Sequence, residues 1–233
     1  MTRTWVREGT AVFLDAVGRL PDDELDRPSR LPDWTRRTVI AHVARNADAL
    51  VNLLTWARTG VETPMYASPE ERTAGIAETA RLGSAQLHAD LAGSAQRLQD
   101  AAGQLTDEQW QYPVRTAQGR EIPAEQVPWM RTREVWIHAV DLGVGIGMDD
   151  LPADVVDALI VDVLAMFGAR GEDLDAVLVP SDRPDTWTSG AGGTEVRGSA
   201  ADLSGWLTGR LGDDSQGQVQ SGGGALPDVP RWL

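Results

Sequence analysis

The sequence predicts a mainly α protein in two parts: a bundle of four long helices over residues 1–147, then a small α+β domain over residues 148–233. Three observations carry this reading. Apolar residues recur at helical spacing through the first part, which marks amphipathic helices rather than strands. Helices of this length joined by loops bury all their apolar stripes at once when they pack as a bundle. After residue 148 the pattern changes to short β-rich runs punctuated by Gly and Pro.

Taken in order, residues 5–20 read as a first helix stopped by Pro21, and residues 35–58 as a second closed by Gly60. On the second helix Ile40, Val43, Ala47, Leu50 and Leu54 form a core stripe, with His42, Asn46 and Leu53 on the adjoining one. Ser68 followed by Pro69, Glu70 and Glu71 is a capping signal that opens one long polar helix running to residue 102. Thr106 with Gln109 is another. A loop around Gly119 and Pro123 then leads to the fourth main helix, which ends at Gly143, Gly145 and Gly147.

In the second part, residues 152–167 read as a helix, and residues 176–180, 185–188 and 194–198 as short strands. Ser199 caps a helix over 200–211. Residues 212–224, rich in Gly, Ser, Gln and Asp, read as a mobile loop, and the apolar end around Trp232 and Leu233 as a docked terminus. There is no internal repeat.

Composition bounds the chemistry. A chain of 233 residues buries a substantial core. A formal net charge of −14 and a pI near 4.5, with no basic stripe to offset them, exclude nucleic acid as an expected partner. No apolar run reaches membrane-spanning length and no leader pattern opens the chain, so a soluble, cytoplasmic protein without membrane contact is expected. No oligomer is implied, and a monomer is the expectation. The absence of cysteine removes disulfides, thiolate metal sites and cysteine nucleophiles, so any thiol chemistry needs an external thiol. Lysine is absent too, which removes Schiff-base chemistry and leaves arginine to bind anions.

The chain has three histidines. His138 follows Glu134 by four residues, a spacing that in a helix turns about 400° and leaves both side chains on one face roughly 6 Å apart. His42 lies in an otherwise apolar helical stretch. Two imidazoles and a carboxylate make a catalytic rather than a structural metal set, because three protein ligands leave a coordination position open. The same spacing also fits a solvated Glu–His pair and a hydrogen-bonded core histidine, but a carboxylate in an apolar helix needs a partner. Asp141, one turn beyond His138, is placed to orient it, since metal-bound histidines donate their other N–H to an oxygen; an acid at a helix end is the alternative. His88, in a polar run, reads as a surface histidine. Trp56, Trp129, Trp136 and Trp206 fit a pocket lining or a core equally well.

These residues sit in blocks that resemble one family. Ala41-His42-Val43-Ala44 with Asn46 and Ala47, the run from Glu62 to Tyr66 followed by Ser68, Pro69 and Glu70, and the run from Thr116 to Arg120 are among them. The run from Trp129 through Arg133, Glu134, His138 and Asp141 to Gly143, and the terminal Pro230-Arg231-Trp232-Leu233, complete the set. The chain closely resembles the mycothiol-dependent maleylpyruvate isomerases over essentially its whole length.

The resemblance implies a DinB-like bundle followed by a small α/β domain, with zinc on His42, Glu134 and His138. It also implies an important arginine in the last helix, matched to Arg210. The implied reaction is the cis-to-trans conversion of maleylpyruvate to fumarylpyruvate in gentisate breakdown, with zinc and mycothiol as cofactors. Rotation about a double bond requires that bond to become temporarily single. A thiolate adding to the activated alkene does this, pushing the π pair into an enolate, and its expulsion after rotation regenerates the thiol.

A thiol of pKa near 8.5 is only a few per cent ionised at pH 7, so full ionisation gains roughly 30-fold, about 2 kcal/mol. Most of the acceleration must then come from positioning and from a cation facing the enolate, the role assigned to Arg210. A helix C-terminal arginine serving the dipole is the alternative for Arg210. Arg131, one turn before Glu134, is a candidate for a substrate carboxylate, or else a salt-bridge partner. Rival readings of the same residues are a mycothiol-dependent S-transferase acting on another electrophile, a non-enzymatic metal-binding regulatory module, and non-haem Fe(II) chemistry.

Overall fold

The computed structural model of the chain describes residues 2–211 and 217–232. It divides into two compact units, Met1–Val144 and Gly145–Leu233. Gly143 and Gly145, both at positive φ, flank the division, where the chain leaves the last helix of the first unit.

The first unit holds α1 (Thr2–Gly18), α2 (Arg36–Thr59), α3 (Pro69–Ala80), α4 (Ser84–Gly103), the short α5 (Asp107–Trp110) and α6 (Val127–Asp141). The bundle consists of α1, α2, α4 and α6: α2 packs on α4 and α6, and α1 on α6. The caps follow the sequence signals. Thr35 accepts from the Thr38 N–H, and Gly60 closes α2 at φ 72°. Ser68 accepts from the Glu71 N–H at the start of α3, and Thr106 and Gln109 form a reciprocal capping box on α5. All five residues of the α2 core stripe are buried, and the lower half of the stripe meets Leu98, Trp110, Val114 and Ile122.

Three expectations need correction. The single helix over residues 69–102 is two, α3 and α4, because Gly83 takes an extended conformation and becomes the N-cap of α4. Arg37 on α2 donates through Nη1 to the Leu82 carbonyl at 2.9 Å, satisfying a backbone acceptor at that break. The loop around Gly119 is a small antiparallel hairpin, β1 (Pro113–Arg115) paired with β2 (Glu121–Pro123). Its turn is held by the Arg120 N–H donating to Thr116 Oγ1, and Gly119 takes φ 81°. His88 is not a surface histidine: it is half-buried, with Nε2 enclosed and without a hydrogen-bond partner.

The helices approach closely where α1 crosses α6. A Cβ on Gly9 would stand 2.6 Å from Trp136 Nε1 and from a Val135 methyl, so only glycine fits there. Trp136 donates its indole N–H to the Trp5 carbonyl at 3.1 Å, which ties α6 to α1 two residues from both Glu134 and His138.

The second unit comprises α7 (Ala153–Arg170), β3 (Ala176–Pro180), β4 (Trp187–Ser189), β5 (Thr194–Gly198), α8 (Ala200–Thr208) and β6 (Gln220–Ser221). The sheet order is β4-β3-β5-β6, with β3 and β5 parallel and the outer pairs antiparallel. Ser199 caps α8 by accepting from the Asp202 N–H, as its sequence position predicts, but α8 ends at Thr208 because Gly209 turns left-handed at φ 70°. Within the span expected as a mobile loop, residues 212–216 lie outside the described residues, and residues 220 and 221 form β6 against β5. Trp232 is buried, in keeping with a docked terminus, while Leu233 lies outside the described residues. Among the described residues no helix is long and apolar enough to cross a membrane.

Candidate metal centre

The site is assembled from α2 and α6 of the first unit. Glu134 Oε2 lies 2.9 Å from His42 Nε2 and 3.3 Å from His138 Nε2. The two imidazoles stand edge to face, 4.8 Å between centroids. One ligand atom from each of the three residues falls within 4.8 Å of the others, a span one tetrahedral ion bridges. The helical spacing supplies the Glu134–His138 pair, and the packing of α2 on α6 supplies His42.

The surrounding groups hold these ligands. Asp141 is fully buried, and its Oδ2 lies 2.9 Å from His138 Nδ1, the nitrogen opposite the one that faces Glu134. Arg36 donates through Nε to the Leu142 carbonyl at 2.9 Å, and the Arg30 N–H donates to the Asp141 carbonyl at 2.8 Å, so the C-terminus of α6 is satisfied from the segment that begins α2. Trp34 packs edge-on to the His42 ring, 5.4 Å between centroids.

Arg131 lies inside the bundle. It is 2% exposed, and its Nη1 donates to the Val43 carbonyl at 2.7 Å and to Asn46 Oδ1 at 3.0 Å. The guanidinium therefore joins α6 to α2 beside the ligands. Burial lowers its pKa to about 10, against the attraction of Glu134, and it remains charged at pH 7. Arg210 belongs to the second unit, where its Nη1 donates to the Thr208 carbonyl at 2.5 Å and its guanidinium lies over the Trp232 ring. Of the four tryptophans, Trp136 is core and Trp56 packs partly against the core around Leu50 and Leu53.

The electrostatics match an acceptor of positive charge. Burial disfavours the Glu134 carboxylate, but His42 and His138 together hold it well below the usual carboxylate range. Burial pulls His42 below its ordinary value despite Glu134. On His138 burial acts in the same direction, but the hydrogen bonds and charges of Asp141 and Glu134 outweigh it and push the group up to about 9. Two imidazole nitrogens and a carboxylate oxygen converge, with one imidazole oriented by a buried acid, and this donor set fits a divalent ion of the zinc type.

Two groups beside the ligands were not singled out as site residues from the sequence. Arg72, on α3, brings Nη2 to 3.4 Å from His42 Nδ1, and its guanidinium lies over the Tyr66 ring at 5.8 Å. Burial raises the Tyr66 hydroxyl, Glu134 adds to the rise and Arg72 opposes it, so the three sit within electrostatic reach of one another. Tyr66 stands in a segment that carries the resemblance, but nothing in the spacing of Arg72 fixes which face of α3 meets α2.

Comparison with known proteins gives a consistent result. Residues 6–143 match the family described as mycothiol maleylpyruvate isomerase N-terminal domain. The crystal structure of the mycothiol-dependent maleylpyruvate isomerase is 37% identical, with a TM-score of 0.91 over 99% of this chain and 95% of that one. A histidine-to-alanine mutant of that isomerase aligns with the same figures. YfiT from Bacillus subtilis, described as a probable metal-dependent hydrolase with an unusual four-helix bundle topology, is 21% identical over 61% of this chain and 82% of its own, with a TM-score of 0.51, a likeness of fold alone. No curated protein matches the sequence. With both the N-terminal family match and the full-length likeness, the chain belongs to the mycothiol-dependent maleylpyruvate isomerase family.

Proposed function

We propose that this protein is a zinc- and mycothiol-dependent isomerase that converts maleylpyruvate to fumarylpyruvate, a cytoplasmic step of gentisate breakdown. The observation that carries the reading is the three-ligand centre of His42, Glu134 and His138, which leaves a coordination position free in a chain with no thiol of its own. His42, Glu134 and His138 would hold a divalent ion, which would supply the charge that keeps an external thiol sulfur ionised for reversible addition to the alkene.

The chain's own residues do the remaining work. His42 and His138 offer Nε2, and Glu134 offers Oε2, so a bound divalent ion would keep a net positive charge with which to favour a thiolate. Asp141 fixes the His138 ring and its tautomer. Arg131 holds α2 against α6, so that ligands from two helices keep one geometry. We assign to Arg210 the cation that meets developing enolate or carboxylate charge, on the strength of the sequence resemblance.

The nearest competing reading, a thiol S-transferase, needs the same ligands and differs in the fate of sulfur. Proton NMR of the product from maleylpyruvate, zinc-loaded protein and sub-stoichiometric mycothiol separates them. The isomerase reading expects free trans product well in excess of thiol, with the thiol titre unchanged. A stable thioether formed one-for-one with the thiol consumed contradicts it.

A further inference from the structure

Arg72 makes a contact that suits the metal-free site and not the loaded one. Its Nη2 lies 3.4 Å from Nδ1 of His42, while Nε2 of the same ring faces Glu134. A guanidinium only donates. An imidazole that coordinates through one nitrogen carries its proton on the other and needs an oxygen to accept it. For His138 that oxygen is Oδ2 of Asp141. For His42 the outer nitrogen meets a second donor, so coordination through Nε2 sets two N–H groups against each other and turns Arg72 away.

The group is prepared for another partner. Arg72 is half-buried, its side chain meets the His42 nitrogen and the Tyr66 hydroxyl, and among the described residues it forms no ion pair with a carboxylate. Its guanidinium already lies over Tyr66, a half-buried ring across which a planar cation can slide without leaving the site. A substrate with two carboxylates approaches a chain of net charge −14 and needs an arginine close to the metal to be held there.

We infer that Arg72 is a substrate-recognition residue that, once the centre is loaded, exchanges His42 for a carboxylate of the substrate, with Tyr66 as the surface beneath it. This rests on the isomerase reading and adds the residue that selects a carboxylate-bearing alkene. Arg72 and Arg210 are then separate cations with separate tasks, one binding a carboxylate in the ground state and the other facing charge that develops during reaction.

Arg72→Met and Arg72→Lys test the inference through three readouts: zinc affinity by chelator competition, maleate binding to the zinc-loaded protein by calorimetry, and KM and kcat for maleylpyruvate. For Arg72→Met the expected result is a roughly 10- to 100-fold weaker maleate affinity with a matching rise in KM. Zinc affinity is expected to be equal to or tighter than that of the unaltered protein, because the donor facing His42 is gone. Arg72→Lys recovers part of the carboxylate affinity. Unchanged maleate affinity and KM overturn the inference. So does a loss of zinc in proportion to the loss of maleate, which makes Arg72 a support for His42 only. If the unaltered protein does not turn over maleylpyruvate, the isomerase reading fails separately, and the zinc and maleate titrations still decide Arg72.

Discussion

Asp141 Oδ2 lies 2.9 Å from Nδ1 of His138, on the side of the ring away from Glu134, and Asp141 is fully buried. A buried carboxylate without a partner is costly, so this contact serves two needs: it satisfies the acid and it fixes which imidazole nitrogen is left for a metal. The Arg30 N–H, bonded to the Asp141 carbonyl, holds the same residue from the backbone side. Asp141→Asn keeps the shape but removes the charge and the tautomer preference. Zinc affinity measured by chelator competition is expected to fall about 10- to 100-fold, the usual cost of losing such a partner. An unchanged affinity removes Asp141 from the site.

Metal binding is expected to displace about one proton at pH 7. His138, pushed up to about 9, is protonated there in the metal-free protein, whereas burial keeps His42 below its ordinary value and neutral. The proton and the ion compete for one nitrogen, so apparent affinity rises about tenfold per pH unit below 9 and flattens above it. Calorimetry in two buffers of different ionisation enthalpy counts the proton. Affinity independent of pH between 6 and 8 is the contrary result.

Arg131→Met retains much of the side-chain stem but leaves the Val43 carbonyl and Asn46 Oδ1 without this donor. The expected loss of stability is about 1–3 kcal/mol, the cost of unsatisfied buried acceptors, read as a lower midpoint in urea. KM for the substrate is expected to change less than stability does. A large KM effect in a fully stable variant restores a direct substrate role.

Gly9→Ala tests the close crossing of α1 on α6. The new methyl meets Trp136 and Val135 at 2.6 Å, too near for van der Waals contact, and α6 must shift to admit it. Overpacking of this kind costs about 1–3 kcal/mol, against a helix-propensity gain below 1 kcal/mol. A variant as stable as the unaltered protein, by thermal denaturation, contradicts the crossing.

Most of the bundle was legible because its signals are local. Ser68 and Thr106 cap helices of the first unit, and Ser199 the last helix of the second unit, as their positions announce, and the stripe of Ile40, Val43, Ala47, Leu50 and Leu54 is buried as its period requires. The break at Gly83 was missed because an isolated glycine within a polar helical pattern is also tolerated; Arg37, from another helix, helps stabilise the interruption. The hairpin at Gly119 was missed because each of its strands is three residues long, too short for alternation to register.

The site was legible to the same extent. The spacing of Glu134 and His138 marks a pair on one helix face, but the 2.9 Å approach of His42 depends on how α2 packs against α6. One turn of helix fixes the distance of Arg131 from Glu134 but not its direction, and only the packing shows that Nη1 meets the Val43 carbonyl and Asn46 Oδ1. Arg72 carries no sequence signal at all, since its meeting with His42 depends on the packing of α3 on α2.

The most direct measurement follows maleylpyruvate absorbance with zinc-loaded protein, with and without mycothiol, beside a His42→Ala variant shown to be folded. The account predicts conversion to fumarylpyruvate only when both thiol and metal are present, and a loss of at least a hundredfold in the variant, which lacks one of three ligands. Thiol-independent conversion, or full activity in His42→Ala, contradicts it.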